Sequence, residues 1–465
     1  MKTYAPVTAE VIEALKGVVG AEYVLTDAET LEHYQTDEET DCRKFHKPEV
    51  VVKPANAEEI AEIMKLANKF NVPVTVRSAG TSLADGAIAV YGGIVLLMER
   101  LNKIIELNTD GMYLVTEAGV PTIDIQKMAN EAGYLYAGDP CSADSCLIGG
   151  NLATNAGGNK AVRYGTTRDQ VHEIEFVSPT GEIIEVGARL KKCSTCLEQL
   201  IMGSEGTLGI ITKATLKLLP LCPYKFDLVA VFTDPDKAID LVPLLLKAGI
   251  DPTSIEYMDN TYVRTTADYC EYKNVPHYED GIYVIVTVET YNEDELDMKM
   301  ERLDELCTEA GAVEVLEADE RIWKMRRNCQ ESVRLISLVS LTDDVVVPRD
   351  KVAEAVKFVM KTGEKYPFTP LICAHVGDGN LHIVLCKCDL TDEEWEKYVQ
   401  EFHDEVYTYA YSIGGRLAGE HGIGAKKLKE MEKYTRPGEL NLMRTIKKAM
   451  DPNCILNPGK IFNMD

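Results

Sequence analysis

The chain has 465 residues, 45% of them hydrophobic, enough for two or three domains of about 100–200 residues each with proper cores. Its 49 Lys and Arg against 75 Asp and Glu leave a formal charge of −26 and a pI near 4.8, which speaks against nucleic acid and anionic membrane surfaces as partners. No apolar run approaches ~18 residues and the start, Met1–Pro6, carries no signal-peptide core, so a cytoplasmic protein with no transmembrane segment is expected, holding any anionic substrate with a few local cations.

In chain order, residues 1–45 read as a helical lead-in, with Val11, Ile12, Leu15, Val18 and Val19 at helical spacing. A β-α-β unit follows: strand Val50–Val52, amphipathic helix Ala57–Phe70 and strand Val72–Val76. Apolar strands are expected at Ile94–Met98, Ile104–Leu107 and Leu114–Ala118, then a helix at Thr122–Ala132, then strands at Ile174–Val177, Ile183–Val186 and Gly209–Leu218. Pro220 and Pro223 close this region. Beyond them the pattern becomes strand Leu228–Phe232, helix Pro235–Ala248, strands Ser254–Met258 and Gly281–Val288, helix Glu293–Ala310 and strand Val313–Leu316. Helix Asp392–Ser412 and a last helical segment within Glu439–Asn463 complete the reading. This is an α+β chain, divided at 1–45, 46–222, 223–415 and 416–465.

The 13 cysteines are scattered through apolar strands (Cys373, Cys386, Cys388) and helices (Cys307, Cys329), which reads as reduced, buried thiols. Cys193-Ser-Thr-Cys196 is a lone pair, with no second pair for zinc and no iron–sulfur spacing, and a helix near Cys196–Met202 accounts for it.

Three small-residue tracts stand out. Strand Val72–Val76 runs into Arg77-Ser-Ala-Gly-Thr-Ser82, where successive backbone amides can nest around an anion. A second tract runs from Gly138 through Ile148-Gly-Gly-Asn-Leu-Ala-Thr-Asn-Ala-Gly-Gly158 to Arg163-Tyr-Gly165, and a third, Gly203–Gly209, precedes a strand. Neither a dinucleotide G-x-G-x-x-G nor a P-loop occurs. Any one tract could be turn glycine; three together favour a diphosphate cofactor laid on backbone amides, with Gly149, Gly150 and Ala156–Gly158 offering a flat surface to a flavin ring.

Near the C-terminus, His375-Val-Gly-Asp-Gly-Asn-Leu-His382 and Gly419-Glu-His-Gly-Ile-Gly424 gather three of the chain's eight histidines. Fully extended, His375 and His382 would stand about 23 Å apart. Leu371–His375 and Leu381–Cys386 read as strands, however, and Val376–Gly379 as a turn in which Gly377 and Gly379 tolerate positive φ. A hairpin then returns His382 towards His375, so that imidazole nitrogens about 2.1 Å from one ion become feasible. Glu420 and His421 are adjacent, so one is expected to ligate while the other faces substrate. The bland alternative is a backbone-satisfied histidine pair and an exposed Glu-His.

With Trp323-Lys-Met-Arg326 and Leu456-Asn-Pro-Gly-Lys460 added in order, these motifs resemble the FAD-linked 2-hydroxy-acid dehydrogenases of the vanillyl-alcohol-oxidase/p-cresol-methylhydroxylase (PCMH) superfamily, in the D-lactate and glycolate branch. The resemblance runs from about residue 20 to residue 463. It implies a PCMH-type FAD-binding domain, a ferredoxin-like cap (substrate) domain and a C-terminal tail returning to the FAD domain. It implies flavin contacts at Arg77, Ser78, Ala79, Gly80, Thr81 and Ser82, at Asp139, Pro140, Gly149, Gly150, Ala153, Thr154, Asn155 and Gly158, and at Glu205, Gly206, Ile211 and Asn457. It further implies metal ligands His375, His382 and Glu420, catalytic base His421, a substrate-orienting amide in Asn380 and a carboxylate-gripping arginine in Arg326.

Covalent-flavin relatives carry His where this chain has Thr81, so non-covalent FAD is expected, with one divalent metal (Zn, Fe or Mn). Dicarboxylate-specific relatives carry a further cation where Leu341-Thr-Asp-Asp-Val345 offers acids, which implies a small monocarboxylate over 2-hydroxyglutarate, with Arg327 keeping the alternative open. The implied electron acceptor is an electron-transferring flavoprotein, as for the lactate dehydrogenase subunit of electron-bifurcating complexes in anaerobes; an iron–sulfur subunit, a quinone or oxygen is the alternative. A non-catalytic FAD protein and an alkyl-glycerone-phosphate-synthase-like transferase are the rivals on the same fold.

Overall fold

The structure, a computed structural model, describes residues 3–189 and 195–464. Cys193 of the cysteine pair lies outside the described residues; Cys196 lies just ahead of a short helix, Glu198–Ile201. The chain forms two compact units: Met1–Ala156 with Thr166–Leu221 and His421–Asp465, and Gly157–Gly165 with Cys222–Glu420.

In the first unit, Val50–Val52 and Val74–Arg77 flank Ile94–Leu97 in parallel register. The crossover helix Ala57–Phe70 starts at Asn56, whose side chain accepts from the Glu59 amide at 2.8 Å, and ends at Asn71 in the left-handed conformation. Its Ile60, Ile63, Met64 and Ala67 join Val11, Leu15 and Val19 of helix Ala9–Val19 in one core. Each large apolar side chain so buried contributes about 1.5–3 kcal/mol, more than the ~1 kcal/mol of the cap. The lead-in is not purely helical: Val24–Leu25 pairs antiparallel with Val51 and Val52, a two-residue strand too short to show periodicity.

A second, antiparallel sheet runs in the order Ile104–Asn108, Tyr113–Glu117, Ile210–Lys217, Val171–Val177, Ile183–Gly187. Helix Thr122–Glu131 shares its core. After helix Pro437–Met450 the tail runs beside Val74–Arg77: the Val74 amide donates to the Ile455 carbonyl at 2.9 Å and the Asn457 amide to the Val74 carbonyl at 2.8 Å. The tail thus returns to the unit that carries the Arg77–Ser82 and Gly203–Gly209 tracts.

The second unit is built on a seven-stranded antiparallel sheet ordered Glu314–Glu317, Tyr224–Phe232, Ile282–Thr290, Ser254–Met258, Leu371–His375, Asn380–Cys386, Ser340–Val346. Every residue of Ile282–Thr290, Ser254–Met258 and Leu371–His375 is buried, as expected of strands covered on both faces. Helices Asn260–Tyr269 and Glu320–Arg327 pack against one core; Asp392–Ser412 begins at a Thr391–Glu394 capping box.

The thiols are less buried than the sequence suggests. Cys307, Cys329, Cys373 and Cys386 are interior, but Cys42, Cys141, Cys196 and Cys388 are exposed, Cys388 lying two residues past its strand. None of the described cysteines is in a disulfide.

Candidate functional site: a histidine hairpin between two carboxylate-bearing strands

Leu371–His375 and Asn380–Cys386 form the hairpin, with His375 opposite Asn380. Gly379 has φ +95°, and a Cβ there would stand 2.1 Å from the Val347 carbonyl oxygen. Gly377 does not take positive φ; a Cβ there would press on the Val162 side chain at 3.0 Å and on Ile255 at 3.2 Å. Asp378 accepts from the Asn380 amide at 3.1 Å, and burial raises its carboxyl to about 6. The two imidazole rings stand 5.0 Å apart at 84°.

Glu420 closes the group. Its Oε1 lies 3.3 Å from His375 Nε2 and 2.9 Å from His382 Nε2. Among the described residues, these three are the one set of His, Cys, Asp and Glu that could share an ion, one ligand atom from each lying within 4.8 Å of the others. Burial pushes the Glu420 carboxyl up, but bonds to both histidines hold it well below the ordinary range. Its Oε2 accepts from the Gly157 amide at 2.9 Å, and a Cβ on Gly157 would crowd that oxygen at 2.8 Å. Gly157 therefore leaves room for this carboxylate.

Each histidine faces a carboxylate across the sheet. Glu256 is opposite His375, and Asp344 is opposite His382. Asp344 Oδ2 accepts from the Gly419 and Glu420 amides, both at 2.9 Å, and so anchors the segment that delivers Glu420. The neighbouring Asp343 accepts from Tyr407 at 2.6 Å and contacts His403 at 2.5 Å. The two acids of Leu341–Val345 thus take part in holding the structure. Asn380 sits beside the set, Nδ2 3.3 Å from His382 Nε2, with Oδ1 buried and without a protein partner. That orphaned oxygen fits an amide aimed at a ligand. Arg326 is 3% exposed, its Nη2 2.6 Å from Glu256.

In the first unit, Ala79, Gly80 and Thr81 donate their amides to no protein acceptor among the described residues, as an anion cradle requires. Arg77 itself is turned inward: it donates to the Thr36 carbonyl at 2.6 Å and lies over the Tyr34 ring. Ile148-Gly-Gly is helical, and Gly149 is explained by packing, since a Cβ would meet Ala118 at 2.8 Å. Thr154 bonds back to the Gly150 carbonyl, while Asn155 ends the helix at φ +57° and accepts from Thr166 and Arg168. Asp139 accepts from Gln126 at 3.3 Å; Pro140 and Ile211 are buried. Glu205, raised by burial, accepts the Ile423 and Gly424 amides at 2.7 Å each, and Asn457 links the Glu205 carbonyl to the Val76 amide. A Cβ on Gly206 would reach Asn457 at 2.6 Å. Gly158 and Arg163 belong to the second unit, where Arg163 bonds Thr253 and the Glu289 carbonyl; the long second tract is divided between the units.

Residues 226–461 match the family "FAD linked oxidases, C-terminal domain" and residues 48–187 match "FAD binding domain". The chain belongs to the FAD-linked oxidase family. This FAD-linked oxidase is 36% identical over 469 residues to "D-lactate dehydrogenase" of Anaerostipes hadrus, covering 98% of each chain. It is 32% identical over 425 residues to "Glycolate oxidase subunit GlcD" of Bacillus subtilis (strain 168), covering 90% of each. In fold it superimposes on a substrate-bound p-cresol methylhydroxylase with a TM-score of 0.81 at 15% identity, covering 99% of both chains. It is an α+β FAD-binding protein of the PCMH type and an oxidoreductase of the D-lactate/glycolate dehydrogenase type. Among its described residues no helix is long and apolar enough to cross a membrane.

Sequence reasoning missed Glu256 in this FAD-linked oxidase, and it singled out Asp344 and Gly157 for other reasons than their bonds to the Glu420 segment. Glu256 did leave a signal, being the lone carboxylate of the short strand Ser254–Met258. His421 was separated from Glu420 by the division of the chain: Glu420 closes the second unit and His421 opens the last segment of the first.

Proposed function

We propose that this protein oxidises a small 2-hydroxy acid, D-lactate foremost, to its 2-keto acid, using non-covalent FAD and one divalent ion of the Zn²⁺, Fe²⁺ or Mn²⁺ kind. The observation that carries the reading is the convergence of His375, His382 and Glu420 beside Asn380 in a chain of this family. A His₂Glu set leaves coordination positions open for water or substrate.

FAD is assigned to the loops of the first unit, with Thr81 offering no imidazole for a covalent link; substrate and ion are assigned to the second. The bound flavin supplies a two-electron acceptor, and the ion supplies Lewis acidity at the substrate hydroxyl. Arg326 meets the substrate carboxylate through a charge-assisted contact, and Asn380 orients the 2-position with its amide. His421 takes the hydroxyl proton on a ring nitrogen, suited by an imidazole's near-neutral pKa. Electrons then pass to a cytoplasmic partner, an electron-transferring flavoprotein in the first instance and an iron–sulfur subunit or quinone in the second.

The test is an anaerobic titration of the metal-reconstituted protein with D-lactate, read by the visible flavin band. Bleaching, with pyruvate formed in equal amount, supports the reading; a flavin that stays oxidised with D-lactate, glycolate and 2-hydroxyglutarate alike overturns it. In His421→Ala we expect FAD to remain bound while flavin reduction slows by about 10²-fold.

A further inference from the structure

Glu256 lies in the middle of strand Ser254–Met258, 0% exposed and directly opposite His375. Its flanking residues Ile255 and Tyr257 are equally buried, so an apolar residue would suit the position at no desolvation cost. The carboxylate is instead divided between two partners. Oε1 and Oε2 both lie 2.9 Å from His375 Nδ1, and Oε2 also lies 2.9 Å from Arg326 Nε and 2.6 Å from Arg326 Nη2. On the far side of the same imidazole, Nε2 faces Glu420. A salt bridge alone would need only Arg326, and a histidine in the core would be satisfied by a carbonyl.

We propose that Glu256 is a positioning residue that ties ion binding to substrate binding. It accepts the Nδ1–H of His375, so that Nε2 presents its lone pair to the ion, and it holds the Arg326 guanidinium at a fixed angle for the substrate carboxylate. This rests on the reading above, in which His375 is a ligand and Arg326 the carboxylate partner. One side chain thereby sets the geometry of both halves of the site.

The decisive variant is Glu256→Gln in the full-length, FAD-loaded protein, which keeps the shape and removes the charge. Zinc affinity is read by competition with a chromophoric chelator, alongside FAD stoichiometry, melting temperature and the separate kcat and KM for D-lactate. We expect zinc affinity to fall about 10–100-fold, KM to rise by about tenfold, and FAD stoichiometry to stay at the wild-type value. Asp259→Asn is the control: Asp259 is a buried carboxylate that accepts the Ile372 and Tyr262 amides and touches neither His375 nor Arg326, so it should lower the melting temperature without moving zinc affinity. Wild-type zinc affinity and KM in Glu256→Gln overturn the proposal. If Glu256→Gln does not fold, Glu256→Asp keeps the charge but withdraws it from Nδ1, and wild-type zinc affinity there overturns the proposal equally. A wild-type protein that binds no divalent ion would instead overturn the reading of the site itself.

Discussion

The two units make their candidate sites from different materials. In the first, the cofactor loops are largely backbone: amides of Ala79–Thr81, the Asn457 bridge between the Val76 amide and the Glu205 carbonyl, and glycines at positions a Cβ would fill. In the second, the site is side chains set by strand register, with Glu256 opposite His375 and Asp344 opposite His382. A backbone-built site depends on a contiguous run of small residues and so leaves a motif. A register-built site depends on which strands become neighbours, and its members are scattered from residue 256 to residue 420.

Variants can separate the two kinds. The largest effect is expected from His382→Ala: turnover should drop roughly a thousandfold, the several kcal/mol that a Lewis acid contributes, while the flavin spectrum stays unchanged. Equal loss of FAD would show that the units do not divide the work in this way.

Next comes Lys460, 2% exposed and donating to the Asp85 and Ile88 carbonyls. Burial lowers its pKa from 10.5 to about 8. The unfolded chain therefore holds more protons than the folded one between those values, so this group's contribution to stability rises as pH rises from about 8 to 10.5. Lys460→Met should remove about 3 kcal/mol of that alkaline gain, measured as the difference between wild-type and variant unfolding free energies across the range. Parallel curves would refute the buried, easily deprotonated lysine.

The smallest change is Gly80→Ala. Gly80 has φ +82°, and its Cβ would meet the Arg77 guanidinium at 2.1 Å. We expect a cost of about 1–3 kcal/mol, seen as weaker FAD retention on dilution, with zinc affinity in the second unit unaltered. If zinc affinity falls with it, the contrast between backbone-built and side-chain-built sites fails.

Much of the architecture was legible because period and capping act locally. Helix Ala57–Phe70, helix Asp392–Ser412 and strand Ser254–Met258 fall where spacing and caps place them. The hairpin was legible too, since its turn needs glycine. Strand Ser340–Val346 and helix Val352–Gly363 went unread; Thr342, Asp343 and Asp344 break the strand's apolar pattern, and their polar groups are matched only by distant partners.

By itself, the sequence determined the small-residue loop Arg77–Ser82, the hairpin and the candidate ligand trio, because each depends on residue types within a short span or on a signature of glycines and histidines. The tertiary structure alone decided that Glu256 and Asp344 stand behind the histidines, that Gly157 serves Glu420, and that Arg77 turns inward. Those are pairings across strands and loops far apart in the chain. Local propensity does not encode them; the register of the seven-stranded sheet and the packing of the loops do.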